Sequence, residues 1–141
     1  MYIYISSQQS DDFFTDNSAE AFRVRLPKPL HLSPMSRWYL AILDIDLPVL
    51  KDGYSTDYIT INSSTCEPSI VNTTLQPILN RIYDYELQVV TPVTFDTPRY
   101  VPLTVDILDT VDIYLTDSQG GTPSFAPGQV SCTLHLQQED I

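Results

Sequence analysis

Basic residues, glycine and cysteine are scarce in the sequence, and long apolar runs are absent. Seven Lys and Arg stand against eighteen Asp and Glu, which gives a net charge of −11. This balance argues against a protein that wraps nucleic acid, because neutralising phosphates requires clustered basic side chains. No apolar run approaches the ~20 residues that a membrane-spanning helix needs, so we expect no membrane span. Two cysteines, Cys66 and Cys132, are too few for a disulfide scaffold, and we expect both to be reduced.

The first residues also lack the basic end and the apolar centre of a secretory signal. Residues 2–6 alternate instead, so we expect a protein that is made in the cytosol. Apolar residues make up 43% of the 141 residues, which excludes an intrinsically disordered chain. The length suits one ordinary domain, and we predict a single domain over residues 1–141.

Short runs of Val, Ile, Thr and aromatic residues recur along the sequence, and eleven prolines separate them. This pattern is typical of strands joined by turns. Pro27 and Pro29 are expected to end the second strand, because proline has no N–H to donate to a sheet. Eight strands are predicted, at 2–6, 21–26, 37–47, 58–61, 87–95, 100–105, 111–116 and 129–136. Eight short strands in one domain predict an all-β fold, an eight-stranded single jelly-roll β-sandwich.

One segment has helical rather than alternating spacing of its apolar residues. Asn72 or Thr73 can cap a helix there, and Pro77 is acceptable only in its first turn. The apolar positions that follow at helical spacing are Leu75, Ile78, Leu79, Ile82 and Tyr83. We therefore predict one short helix at about 74–84, inserted into the sandwich.

The sequence offers little for catalysis. A nucleophilic Ser or Cys needs an oriented base beside it, and the two histidines, His31 and His135, are both interpreted as surface residues. There is no Gly-x-Ser-x-Gly elbow and no phosphate-binding loop. We therefore predict that the protein is not an enzyme, that it has no catalytic residue and that it needs no cofactor.

Acidic residues are concentrated in the second part of the chain. Residues 1–51 hold five bases and six acids, whereas residues 52–141 hold two bases and twelve acids. Four aspartates fall within twelve residues, namely Asp106, Asp109, Asp112 and Asp117. Two interpretations of this acidic cluster stay open, a solvated face or a calcium site at one end of a sandwich.

Aromatic residues exceed what one small sandwich can bury, and exposed aromatic side chains commonly mark protein–protein contacts. An N-terminal segment with such residues can add to the sheet edge of a neighbouring molecule, although residues 2–6 can equally pair within their own sheet. Arg23 and Arg25 lie on the polar face of a predicted strand, where they can meet the acidic surface of an adjacent copy. The predicted interface residues are Tyr2, Tyr4, Phe13, Phe14, Arg23 and Arg25.

Several stretches of the sequence together resemble one protein family. They are 22–32 (FRVRLPKPLHL), 38–48 (WYLAILDIDLP), 100–103 (YVPL), 109–117 (DTVDIYLTD) and 128–136 (GQVSCTLHL). These stretches are similar to the minor capsid, penton-type proteins of Polinton-like double-stranded DNA viruses, the adintovirus and adomavirus group. The similarity lies in patterns of strand and turn rather than in a catalytic signature.

The resemblance implies a single jelly roll that serves as a structural virion protein and assembles with copies of itself and with a major capsid protein. For a vertex protein it implies a pentamer, made in the host cytosol and assembled in the nucleus, with no direct contact to nucleic acid. A second interpretation stays open from the residues alone. This is a ligand-binding β-sandwich that binds calcium or carbohydrate through the acidic cluster and exposed tyrosines.

Overall fold

The strands of the protein have alternating apolar and polar side chains, and they form two main sheets. The computed structural model describes residues 1–8, 13–89 and 92–140. In the first strand Ile3 and Ile5 are buried, whereas Tyr2 and Tyr4 face solvent. The elements in chain order are β1 (Tyr2–Ser6), β2 (Ala21–His31), β3 (Ser36–Asp46), β4 (Tyr58–Asn62), β5 (Ser69–Val71), β6 (Thr74–Gln76), β7 (Ile78–Tyr83), α1 (Asp84–Val89), β8 (Val93–Thr94), β9 (Val101–Pro102), β10 (Ile107–Asp117) and β11 (Ser131–Asp140).

The strands pair antiparallel in two main sheets. The first sheet has the order β1-β11-β3-β8, with β9 also pairing β3, and the second sheet has the order β2-β10-β4-β7. β5 and β6 form a separate hairpin. Among the described residues, no helix has the length and apolar character needed to cross a bilayer. The predicted all-β sandwich is confirmed.

The inward faces of the two sheets form one apolar core. Ile42 of β3 and Leu134 of β11 are fully buried on the side of the first sheet, and Ile61 of β4 and Val111 of β10 are fully buried on the side of the second. Burying a side chain of this size contributes ~1.5–3 kcal/mol. The core between the sheets is therefore the main source of stability.

The predicted helix at 74–84 is wrong, because these residues form β6 and β7 and the short helix α1 begins only at Asp84. β7 contains a bulge: Ile61 pairs with Asn80 and Asn62 pairs with Ile78, so Leu79 is an extra residue. The bulge buries two successive residues, Ile78 and Leu79, and Ile82 is buried after them. Buried position 82 follows position 79 by three residues and position 78 by four, and these separations imitate the i, i+3 and i, i+4 spacings of a helix.

The prediction that Pro27 and Pro29 end the second strand is also wrong, since β2 continues to His31. β2 is an edge strand that pairs only with β10 among the described strands. Its register with β10 passes from Arg25 opposite Thr110 to Leu30 opposite Leu108, so residues 26–29 lie in an irregularity of the pairing. Proline is tolerated at such edges and bulges because no ladder hydrogen bond is lost there.

The predicted strand at 87–95 is wrong in its first part, since Leu87 lies in α1. Residues 90 and 91 lie outside the described residues, and β8 is the strand that follows them. The hairpin of β5 and β6 was not predicted. Its turn contains Asn72 at a φ of 56°, a left-handed conformation that asparagine tolerates better than most residues.

Substitution of Leu134 by Ala tests the core. We expect Leu134→Ala to lower the free energy of unfolding by about 2–5 kcal/mol, because it leaves a cavity at the centre of the first sheet. Gln137→Ala, at an exposed position of the same strand, should change it by less than ~0.5 kcal/mol. Urea denaturation followed by circular dichroism measures both values. Equal effects of the two substitutions would contradict the packing described.

Candidate assembly surface

The edge strands β1 and β2 border the same side of the sandwich. Among the described strands, β1 pairs only with β11 and β2 pairs only with β10. A groove of about 620 Å³ runs between them, lined by residues 1–5 on one side and by residues 24–28 with Leu30 on the other. This side of the molecule therefore presents two strand edges and a groove, and three of the predicted interface residues, Tyr2, Tyr4 and Arg25, line that groove.

Tyr2 and Tyr4 lie on the outer face of the first sheet. Their neighbours Ile3 and Ile5 enter the core, so the tyrosine side chains remain 59% and 71% exposed. The Tyr2 ring packs on His135 of β11, with 4.7 Å between the ring centroids. The Nδ1 atom of His135 shares a hydrogen bond of 2.9 Å with the Tyr100 hydroxyl. Tyr2 is thus held by a neighbouring strand, whereas Tyr4 is the more exposed of the two.

Phe13 and Phe14 lie over two arginines on the outer face of the second sheet. The Arg23 guanidinium carbon is 4.4 Å from the centre of the Phe14 ring, and that of Arg25 is 4.9 Å from the centre of the Phe13 ring. Cation–π contacts at exposed positions contribute about 0.5–1 kcal/mol each. We call these four residues the arginine–phenylalanine cluster.

The segment before β2 holds the arginine–phenylalanine cluster against the strand. Asn17 Nδ2 donates to the carbonyl of Arg23 at 2.8 Å, and the Arg23 N–H donates to Asn17 Oδ1 at 2.9 Å. The Arg23 guanidinium donates to Asp16 at 2.8 Å, and this hydrogen bond holds the pKa of Asp16 below its usual value. Arg23, which is expected to meet a neighbouring copy, therefore already has a carboxylate partner within its own chain.

The six predicted residues thus form two groups rather than one patch. Tyr2 and Tyr4 lie on the outer face of the first sheet, and the arginine–phenylalanine cluster lies on the outer face of the second. The groove between β1 and β2 joins the two groups, because Tyr2, Tyr4 and Arg25 all line it. Sequence reasoning missed His135 as the partner of Tyr2 and Tyr100 as the partner of His135, since only the fold brings these three residues together.

Two members of the acidic cluster are acceptors for neighbouring loops. Asp112 accepts hydrogen bonds from the Ser63 hydroxyl and from the backbone N–H and hydroxyl of Ser64. Asp117 accepts from the Tyr54 hydroxyl at 2.7 Å and from the backbone N–H of Gln119 and Gly121. Within the described parts of the chain, no three His, Cys, Asp or Glu side chains come together as metal ligands.

Tyr54 and Asp117 form a hydrogen-bonded pair in which the pKa of each side chain is shifted. Burial, followed by the hydrogen bond to Asp117, raises the pKa of Tyr54 to about 12. The same hydrogen bond is the main cause that lowers the pKa of Asp117. This pair ties the end of β10 to the loop before β4.

Both thiols are free and buried in the core. Burial raises the pKa of Cys66 and the pKa of Cys132 to about 12. A thiol of this kind is a weak nucleophile at neutral pH, because the thiolate is the reactive form.

No protein family matches the chain, and a search among curated proteins finds none with significant similarity to it.

Removal of the Tyr54 hydroxyl tests the pair. Tyr54→Phe should lower the free energy of unfolding at pH 7 by about 1 kcal/mol, the usual net value of a hydrogen bond. The folded-state pKa of Asp117 is lowered, so the bond stabilises above about pH 4, and this contribution is lost as the pH falls through the lowered pKa. The folded-state pKa of Tyr54 is raised, so the contribution is present below about pH 10 and is lost as the pH rises towards 12.

Urea unfolding at pH 7 and at acidic pH measures the difference between the wild-type protein and Tyr54→Phe. Tyr85→Phe is the matched control, because the Tyr85 side chain is 69% exposed. A Tyr54→Phe effect that keeps its full size in acid would show that the hydrogen bond to Asp117 is not its source.

Proposed function

We propose that the chain is a structural virion protein, a minor capsid or penton-type subunit that assembles with copies of itself and with a major capsid protein. The observation that carries this proposal is the strand pairing. Counting β8 and β9 as two pieces of one strand and leaving out the hairpin of β5 and β6, the described part of the chain has eight principal strands. In that count the first pairs with the eighth, the second with the seventh, the third with the sixth and the fourth with the fifth.

This pairing supports a single jelly roll. One long antiparallel hairpin, rolled up on itself, gives the same four pairs, and two further contacts close the sheets. These contacts are the pairing of β11 with β3 and of β10 with β4. The jelly roll is a common fold of viral capsid domains, and the sequence resemblance points to the same class.

Fold alone does not establish function, so the exposed surface is the second support. Tyr2, Tyr4 and Phe13 are each more than half exposed, at the side where β1 and β2 each pair with one strand only among those described. Aromatic side chains are enriched in protein interfaces, and an open strand edge can accept a strand from a partner. The side formed by β1 and β2 is therefore the surface that we assign to assembly.

Charge gives the third support. β2 carries Arg23, which is paired with Asp16, and also Arg25 and Lys28, and it has no acidic residue. Residues 52–141, in contrast, have ten more acids than bases. A five-membered ring needs head-to-tail contacts, in which one surface of a copy meets a different surface of the next. A basic edge facing an acidic surface meets that requirement and disfavours like-with-like contacts.

Light scattering coupled to size-exclusion chromatography tests this assembly. Five copies of 16.0 kDa give a mass of about 80 kDa. We expect Tyr4→Ser to raise the dissociation constant of the oligomer about tenfold or more, because an interface aromatic is worth ~1–2 kcal/mol or more. Tyr85→Ser is the matched control, since Tyr85 is equally exposed but follows β7, at the other edge of the second sheet from β2.

Arg25→Glu tests the electrostatic part of the contact, with Arg37→Glu on β3 as its control. Only the first substitution should weaken the oligomer, and added salt should weaken the wild-type contact. A strict monomer at high protein concentration overturns the self-assembly. An oligomer that both Tyr4→Ser and Arg25→Glu leave intact places the contact elsewhere and removes the assigned surface.

A further inference from the structure

A second cavity lies at the opposite edge of the second sheet from β2. It has a volume of about 490 Å³ and opens between the edge strand β7 and the hairpin of β5 and β6. Tyr58 of β4 forms part of its wall, together with Asn80, Arg81 and Tyr83 of β7. Ser69 and Arg99 complete the polar lining. The volume falls within the range of sites that bind small molecules.

The charge of this cavity is opposite to that of the chain around it. Residues 52–141 contain only two basic residues, Arg81 and Arg99, and both of them line the cavity. None of the described residues that line it is acidic. Neither guanidinium forms an ion pair with any described residue, although the chain contains eighteen acids. Two cations therefore line one cavity, and neither is ion-paired with a carboxylate of the described residues.

The two guanidinium groups are held in place by uncharged neighbours. Arg81 lies over the ring of Tyr58, with its guanidinium carbon 3.9 Å from the ring centre. Tyr58 in turn packs edge-on against Tyr83, with 6.3 Å between the ring centroids. Arg99 Nη2 donates to the Ser69 hydroxyl at 2.9 Å. Stacking occupies the face of the Arg81 guanidinium and leaves its edge, where the N–H donors lie, for a ligand.

The free edge of the Arg81 guanidinium carries N–H donors, and these suit the oxygens of a planar or tetrahedral oxyanion. The N–H donors of a guanidinium form a fork that binds carboxylate or phosphate through two parallel hydrogen bonds. The Tyr83 ring, 43% exposed, adds an apolar surface beside the arginines. The net charge of −11 repels anions from the protein as a whole, so an anion that binds must be held by local contacts.

We propose that this cavity is a binding site for a small ligand that carries an oxyanion, a carboxylate or a phosphate group, with Arg81 and Arg99 as its cationic contacts. The site is separate from the side formed by β1 and β2. It gives the protein a ligand-binding activity in addition to assembly.

Titration of the ¹⁵N-labelled protein at low salt tests the site. The probes are glucuronate, glucose as its uncharged counterpart, and inorganic phosphate. Glucuronate or phosphate should shift the backbone amide signals of Tyr58, Arg81 and Tyr83 at millimolar concentration, and glucose should not. Glucuronate alone would identify a carboxylate ligand, and phosphate alone would identify a phosphate ligand.

Arginine variants show whether the shifts come from the proposed contacts. Arg81→Gln and Arg99→Gln should each weaken binding about tenfold or more, because each removes charge-assisted hydrogen bonds. Arg81→Lys keeps the charge without the fork and should weaken it less. Arg37→Gln, at an exposed position of β3, is the matched control and should leave binding unchanged.

The proposal is overturned if neither anion shifts these signals, if glucose shifts them equally, or if both glutamine variants bind as the wild-type protein does. Thermal melting checks that each variant folds, and Arg99 is exposed, so its substitution leaves the core intact. The mass measured by light scattering should be the same for all of these variants. The outcome is therefore independent of the test of assembly.

Discussion

The structure depends on the insertion of β11 between β1 and β3. β11 pairs with β3 along its whole length, from Ser131 opposite Asp46 to Asp140 opposite Ser36. Its inner face supplies Cys132, Leu134 and Leu136 to the core, and β1 has no other partner among the described strands. The strand edge that carries Tyr2 and Tyr4 is therefore positioned by residues that lie more than a hundred positions away in the sequence. Pairings so distant in sequence close large loops, so folding should be slow compared with that of a helical protein of the same size.

Most strands could be predicted because burial of one face of a sheet requires apolar and polar residues to alternate along each strand. The alternation of Ile3 and Ile5 with Tyr2 and Tyr4 predicts β1 with the bounds that the structure has. Two of the errors, those in β2 and β7, occur where pairing with a partner strand overrides the local pattern. The bulge in β7 and the irregular register of β2 both depend on the neighbouring strand. The sequence of β7 carries no sign of its bulge, whereas Pro27 and Pro29 fit either the end of a strand or an irregular edge strand. For this reason the prolines of β2 suggest the end of a strand that continues to His31, and the successive apolar residues of β7 suggest a helix.

The features of the candidate sites likewise divide into those that local sequence predicts and those that depend on the fold. Exposure of Tyr2 and Tyr4 follows from alternation and could be predicted, whereas the packing of Phe13 and Phe14 on arginines depends on a loop that folds back along β2. Arg81 and Arg99 were overlooked, although a signal was present, since they are the only bases in a strongly acidic stretch. Their convergence could not be predicted, because it depends on the unpredicted hairpin that carries Ser69.

The reactivity of the two buried thiols reports how often the structure around each of them opens. Cys132 belongs to β11 in the first sheet. Cys66 follows β4, and its backbone forms an isolated antiparallel β-bridge with Leu103. With so little thiolate present at neutral pH, alkylation of either sulfur waits for a local opening that admits water. Equal alkylation rates at the two sulfurs would mean that the sheets separate in one cooperative event. Unequal rates would mean that one half of the sandwich loosens while the other stays closed.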